Sequence, residues 1–144
     1  MSASNYLEDE LVKHIFRTGS FTKPTVLGIA LLTTAAVDAD TGQFTTGTGV
    51  EVANAGSYAR KDHPPLDANW TATSGGDGQT DNAVDVLFVQ ATANWGTVVA
   101  IGICDSITYD AGNLLFHNTI DTPRVIDNGD TAKFEAGALK VTFL

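Results

Sequence analysis

Basic side chains are scarce in this sequence. Eight Lys and Arg stand against 17 Asp and Glu, for a net charge of −9 over 144 residues. Nucleic-acid binding is driven largely by Lys and Arg releasing counterions from phosphates, so this balance argues against a nucleic-acid partner. Cysteine is nearly absent as well. The single Cys104 excludes an internal disulfide. It follows the apolar run Val98-Val99-Ala100-Ile101-Gly102-Ile103 with no adjacent cation, which predicts a small buried hydrophobe rather than a reactive thiol. No apolar run nears the ~20 residues of a membrane span. The opening Met1-Ser2-Ala3-Ser4-Asn5 lacks the basic and apolar regions of a signal peptide. A soluble protein made in a cytoplasm, with no membrane partner, is expected. Charged residues are 17 % of the chain, below the usual ~25 %. That suits either a Gly/Thr/Ala-rich β protein or one that covers surface in an assembly.

Motifs that carry chemistry are also missing. Asp38-Ala39-Asp40-Thr41-Gly42 begins like a calcium loop, but position 6 is Gln43 and position 12 is Gly49, where an EF-hand needs Gly and Glu. A solvated turn is expected there. Ser74-Gly75-Gly76-Asp77-Gly78-Gln79 is Gly-rich yet lacks the Lys-Ser/Thr of a phosphate-binding loop, and reads as a flexible loop. No Gly-x-Ser-x-Gly elbow occurs. His14, His63 and His117 are far apart and show no zinc-ligand spacing. His14 suits a helix end, His63 before Pro64-Pro65 is expected on the surface, and His117 suits a core or an interface. Trp70 and Trp95 could stack on a sugar, but core anchoring is the simpler expectation. No catalytic residue, metal or cofactor is expected.

What remains is architecture. Residues 4–17 predict a helix. Ser4 or Asn5 can cap it, Glu8, Asp9 and Glu10 open it, and Lys13, His14 and Arg17 close it, in accord with the helix dipole. Leu7, Leu11 and Ile15, joined by Val12 and Phe16, form an apolar stripe. Residues 25–34 predict a strand buried on both faces, with Leu27, Ile29 and Leu31 on one and Val26, Gly28, Ala30 and Leu32 on the other. Further strands are expected at 50–52, 57–60, 69–73, 84–89, 98–104, 113–119 and 139–143, separated by Gly, Asn and Asp turns. The fold expected is all-β, an antiparallel β-sandwich (immunoglobulin-like or jelly-roll-like) at residues 19–144, behind one short N-terminal α-helix at residues 1–18.

The chain also resembles a family of small tailed-phage virion proteins, often labelled tail fibre proteins and in some phages identified as capsid cement or decoration proteins. The likeness runs through Ser4-Asn5-Tyr6-Leu7-Glu8-Asp9-Glu10-Leu11, the strand 26–34, Gly56-Ser57-Tyr58-Ala59-Arg60, Ala93-Asn94-Trp95-Gly96, Gly112-Asn113-Leu114-Leu115-Phe116 and the segment 130–141. Residues 60–78 fit less well. The resemblance implies a non-enzymatic subunit, repeated on the virion and forming a homotrimer. As a cement protein its partner would be the major capsid protein; the alternative is a tail fibre or tail-tip component that binds host carbohydrate. Contact residues are expected on the helix (Tyr6, Leu7, Leu11, Ile15, Phe16) and in the 61–82 loop (His63, Trp70). The helical stripe would serve equally well to pack the helix on its own domain.

Overall fold

The computed structural model describes residues 1–73, 76 and 78–143. Ser74, Gly75 and Asp77, within the Gly-rich stretch expected to be a flexible loop, lie outside the described residues, as does Leu144. The elements are β1 (Ser2–Ala3), α1 (Asn5–Phe16), β2 (Gly28–Thr34), β3 (Val50–Glu51), β4 (Lys61–Asp62), β5 (Gln79–Asp81), β6 (Val86–Leu87), β7 (Gly96–Cys104), β8 (Leu114–Ile126), β9 (Lys133–Phe134) and β10 (Lys140–Thr142). The fold is all-β and antiparallel, with one short helix near the N-terminus.

The apolar character of β2 on both faces places it inside the main sheet, whose order is β1-β8-β7-β2-β3, with β4 pairing the start of β2. Gly28 to Leu32 are all buried. Ile29 and Leu31 join a large core with Ile101, Ile103, Val86, Trp95 and Leu139. Ala30 and Leu32 point the other way, into a smaller core with Phe44, Ala100, Cys104 and Leu114. Over the larger core lie two short ribbons, β5 with β10 and β6 with β9. The second layer of the sandwich is thus broken into ribbons. Asn82 ties them together: its Oδ1 accepts from Leu139 N at 2.8 Å, and its Nδ2 donates to the Val84 and Glu135 carbonyls at 2.9 Å. The loop between β2 and β3 covers the smaller core through Phe44.

Strand parity is not constant along β7. Val98 faces the same core as Ile101 and Ile103, which strict alternation forbids. The pairing with β8 shifts between Val98 and Ala100, where Val98 opposes Arg124 and Ala100 opposes Thr119. Residues 120–123 of β8 therefore stand opposite Val99 alone, a bulge of three extra residues at which the facing of β7 changes. The outer edge of β8 is covered by β1 only at Phe116 and His117.

Several expected strands are shorter than their apolar runs. In residues 84–89 Val86 and Phe88 are buried, yet only Val86–Leu87 pair. The segment 57–60 is not a strand: Ser57 adopts φ 65°, and the ladder resumes at Lys61–Asp62. Residues 69–73 contribute a single bridge, Trp70 to Asn82. Strand β8 is longer than the expected 113–119, running to Ile126.

Candidate functional site

The helix is anchored at one end only. Ser4 caps it, with its Oγ accepting from Leu7 N at 3.3 Å and donating to the Leu114 carbonyl. The Ser4 N–H donates to Leu115 O at 2.9 Å, and Asn5 N–H to Asp38 O at 2.8 Å. Leu7 completes the anchor at 4 % exposure. Beyond it contact with the body falls away: Tyr6 and Leu11 are half-buried, and Val12 to Ser20 are all exposed. Val12, Ile15 and Phe16 stand 53, 66 and 78 % exposed. The apolar stripe thus divides. Leu7 packs the helix on its own domain, while Ile15 and Phe16 project into solvent. The tip is closed by Arg17 N–H bonding to Lys13 O and by His14 Nδ1 accepting from Phe21 N at 3.1 Å.

A second feature is a cleft of about 440 Å³ between the main sheet, the β5–β10 ribbon and the segment 65–72. That volume lies within the range of ligand-binding pockets, ≈ 300–1,000 Å³. Its walls include Leu27, Leu66, Trp70, Phe116, Val141 and Phe143, with Asp67 also on the lining. Phe116 and Phe143 meet edge to face at 5.5 Å. Trp70 packs edge to face on His63, with ring centroids 5.1 Å apart. Among the described residues, Trp70 Nε1 is the buried side-chain polar atom without a hydrogen-bond partner.

His63 is not on the surface as expected. It is 4 % exposed, and its Nε2 lies 3.1 Å from the Asn69 carbonyl. A carbonyl only accepts, so Nε2 carries the proton. Burial pushes the His63 pKa down, more than its backbone hydrogen bond raises it. The ring is a neutral prop under Trp70, not a surface contact. The reading of 38–42 as a solvated turn holds for the exposed Asp38, Ala39 and Thr41 but not for Asp40. Asp40 is buried; its carboxylate accepts the N–H groups of Val37, Thr48 and Gly49 at 2.7–2.9 Å. It folds the 35–49 loop around itself, a role that its distant donors conceal in the sequence.

Charge is also buried, in a cluster absent from the expected sites. Glu51 and Arg60 form a two-pronged ion pair, Nε to Oε1 at 2.9 Å and Nη2 to Oε2 at 2.8 Å. Both side chains are almost wholly enclosed. Arg60 further donates to the carbonyls of Gly42, Ser106 and Ala111, and its guanidinium lies over the Phe44 ring. Tyr58 OH donates to Glu51 at 2.8 Å and accepts from Leu31 N at 3.0 Å. Burial and the Glu51 charge push the Tyr58 hydroxyl well up. Burial likewise raises Cys104 to about 12, against the opposing influence of Arg60. Every donor and acceptor in this cluster is spent on holding loops to the sheet. Trp95 is structural too: it is buried, and its Nε1 donates to Gly56 O at 2.8 Å. His117 is buried at the helix anchor, with Nε2 2.9 Å from Asp38 Oδ1. Among the described residues no group of three metal-binding side chains occurs, and no described helix is long and apolar enough to cross a membrane.

The seven expected contact residues thus separate. Leu7 and His63 are internal supports, Tyr6 and Leu11 lie at the helix base, Ile15 and Phe16 form an exposed tip, and Trp70 belongs to a cleft wall. Leu27, Phe116 and Phe143, which complete the cleft, come from distant parts of the chain, and no local pattern in the sequence joins them. No curated protein matches the chain. Residues 2–142, however, match the family described as Podophage GP4 fiber I protein gp80. The match spans the helix anchor, the main sheet and both ribbons, and the chain therefore belongs to that family of phage virion structural proteins.

Proposed function

We propose that this chain is a non-catalytic fibre subunit of a podophage particle, attached to its neighbours through exposed apolar surface. The observation that carries this reading is a family match across nearly the whole chain to a protein named as a fibre component. The geometry agrees with a scaffold: the buried ionisable groups fasten loops, and the two most exposed large apolar side chains, Ile15 and Phe16, stand together at the helix tip. The test is location. Particles carrying a tagged copy of the chain, labelled with gold and imaged by electron microscopy, are expected to show label at the fibres around the tail vertex. Label spread over the shell would overturn the fibre assignment.

That second outcome is a capsid cement protein bound to the major capsid protein. It is favoured by the small acidic chain without a fibrous repeat. A protein that binds only the assembled shell stabilises it by mass action. Copy number separates the two readings, being set by the capsomers for cement and by the few fibres for the tail.

A further inference from the structure

We propose that copies of this chain assemble head to tail, the tip of α1 in one copy seating in the apolar cleft of the next. The inference rests on the reading of the chain as a virion subunit present in several copies.

The tip and the cleft are complementary in two respects. Both are apolar: Val12, Ile15 and Phe16 protrude, while the cleft offers aromatic and aliphatic walls with space for large side chains. Their charges are opposite. Residues 11–20 contain Lys13 and Arg17 and no Asp or Glu, a charge of +2 that leaves −11 on the rest of the −9 chain; Lys13 pairs with Glu10 at 3.0 Å, and Arg17 is exposed. A basic tip on an otherwise acidic molecule is drawn to the body of another copy, and Asp67 lies on the cleft that would receive it.

Two different patches meeting in this way make a heterologous contact, which passes from copy to copy and closes a ring when the rotation allows. The one-ended anchor of α1 suits the role. Ser4, Asn5 and Leu7 fix the base, and Val12 to Phe16 are left exposed.

The test uses the full chain and two variants, followed by light-scattering mass over a concentration series. Ile15→Ser with Phe16→Ser removes the tip. Ala72→Trp fills the cleft mouth, where Ala72 is an exposed lining residue. Circular dichroism and thermal unfolding confirm that each variant folds. The wild-type chain is expected at a discrete multiple of 15.1 kDa, and each variant at 15.1 kDa. Mixing the two variants, well above the wild-type midpoint, is expected to restore a two-chain species, because one supplies an intact cleft and the other an intact tip. A wild-type chain that stays monomeric overturns the proposal, whether its tip serves another virion protein or folds into its own cleft. Assembly that survives Ala72→Trp overturns it in favour of tip-to-tip contact, and a mixture that stays monomeric overturns the pairing. A monomer that still labels virions would refute only this contact. An oligomer that never appears on virions would refute only the virion reading.

Discussion

At the residue scale, the most constrained side chains are charged ones that touch no solvent. Breaking a buried ion pair by removing one partner costs more than the pair contributes, because a bare charge is left inside. Glu51→Ala strands Arg60 beneath the 35–49 loop and is expected to cost about 3–5 kcal/mol, measured by urea unfolding. Exchanging both partners for apolar residues is expected to cost less. Cys104 gives an independent check. With its pKa pushed to about 12 by burial, the thiol is expected to ignore a thiol-specific reagent at pH 8 in the folded protein. In denaturant it should react to one equivalent. Cys104 was legible as a buried hydrophobe from its neighbours alone. Arg60 was not: its partners lie at positions 42, 51, 106 and 111, and only the fold brings them to it.

At the element scale, legibility followed the length of the local signal. The helix could be read because its cap, dipole charges and stripe agree over a dozen residues. Strand β2 could be read because both of its faces are apolar. Strands β1, β5 and β9 were missed because two or three paired residues have no period to detect. The stripe on α1 was a true helical signal, but amphipathicity alone does not say which apolar residues face the parent domain. Close packing around β2 leads to a further prediction. A Cβ added to Gly28 would lie 2.3 Å from the Ser106 carbonyl oxygen, which is backbone and unable to swing aside. Gly28→Ala is therefore expected to push β2 away from the 105–107 turn. Overpacking of this kind costs about 1–3 kcal/mol, measured as a fall in unfolding midpoint, despite the better strand propensity of alanine.

At the scale of the whole molecule, charge sets the working range. The chain has a pI near 4.4, so acidification toward that value removes its net negative charge. The same change loosens the fold through Asp40. Burial raises the Asp40 pKa, but the N–H groups of Thr48, Val37 and Gly49 and the nearby His117 outweigh it, and the net shift is down from 3.8. A lowered folded pKa contributes stability that is complete above the unfolded value and is lost as pH falls through the folded one. Stability is therefore expected to decline below about pH 4. Asp40→Ala should flatten that acid limb in thermal unfolding across pH. At neutral pH it should cost about 1–3 kcal/mol, since it leaves backbone donors unpaired in the 35–49 loop.

The extra residues of β8 have a bearing on crowding. A particle holds its subunits at high local concentration, where an unpaired strand edge invites a neighbour to add its own strand and lock the two into a growing sheet. Beyond His117 the outer edge of β8 has no strand partner among the described residues. At that point the backbone is thrown out of register by residues 120–123, carries Pro123 with no N–H to offer, and exposes Asp121 and Arg124. Proline on an edge and an irregular ladder both spoil the template. The flaw in the longest strand thus leaves this edge a poor template for a strand from a second copy.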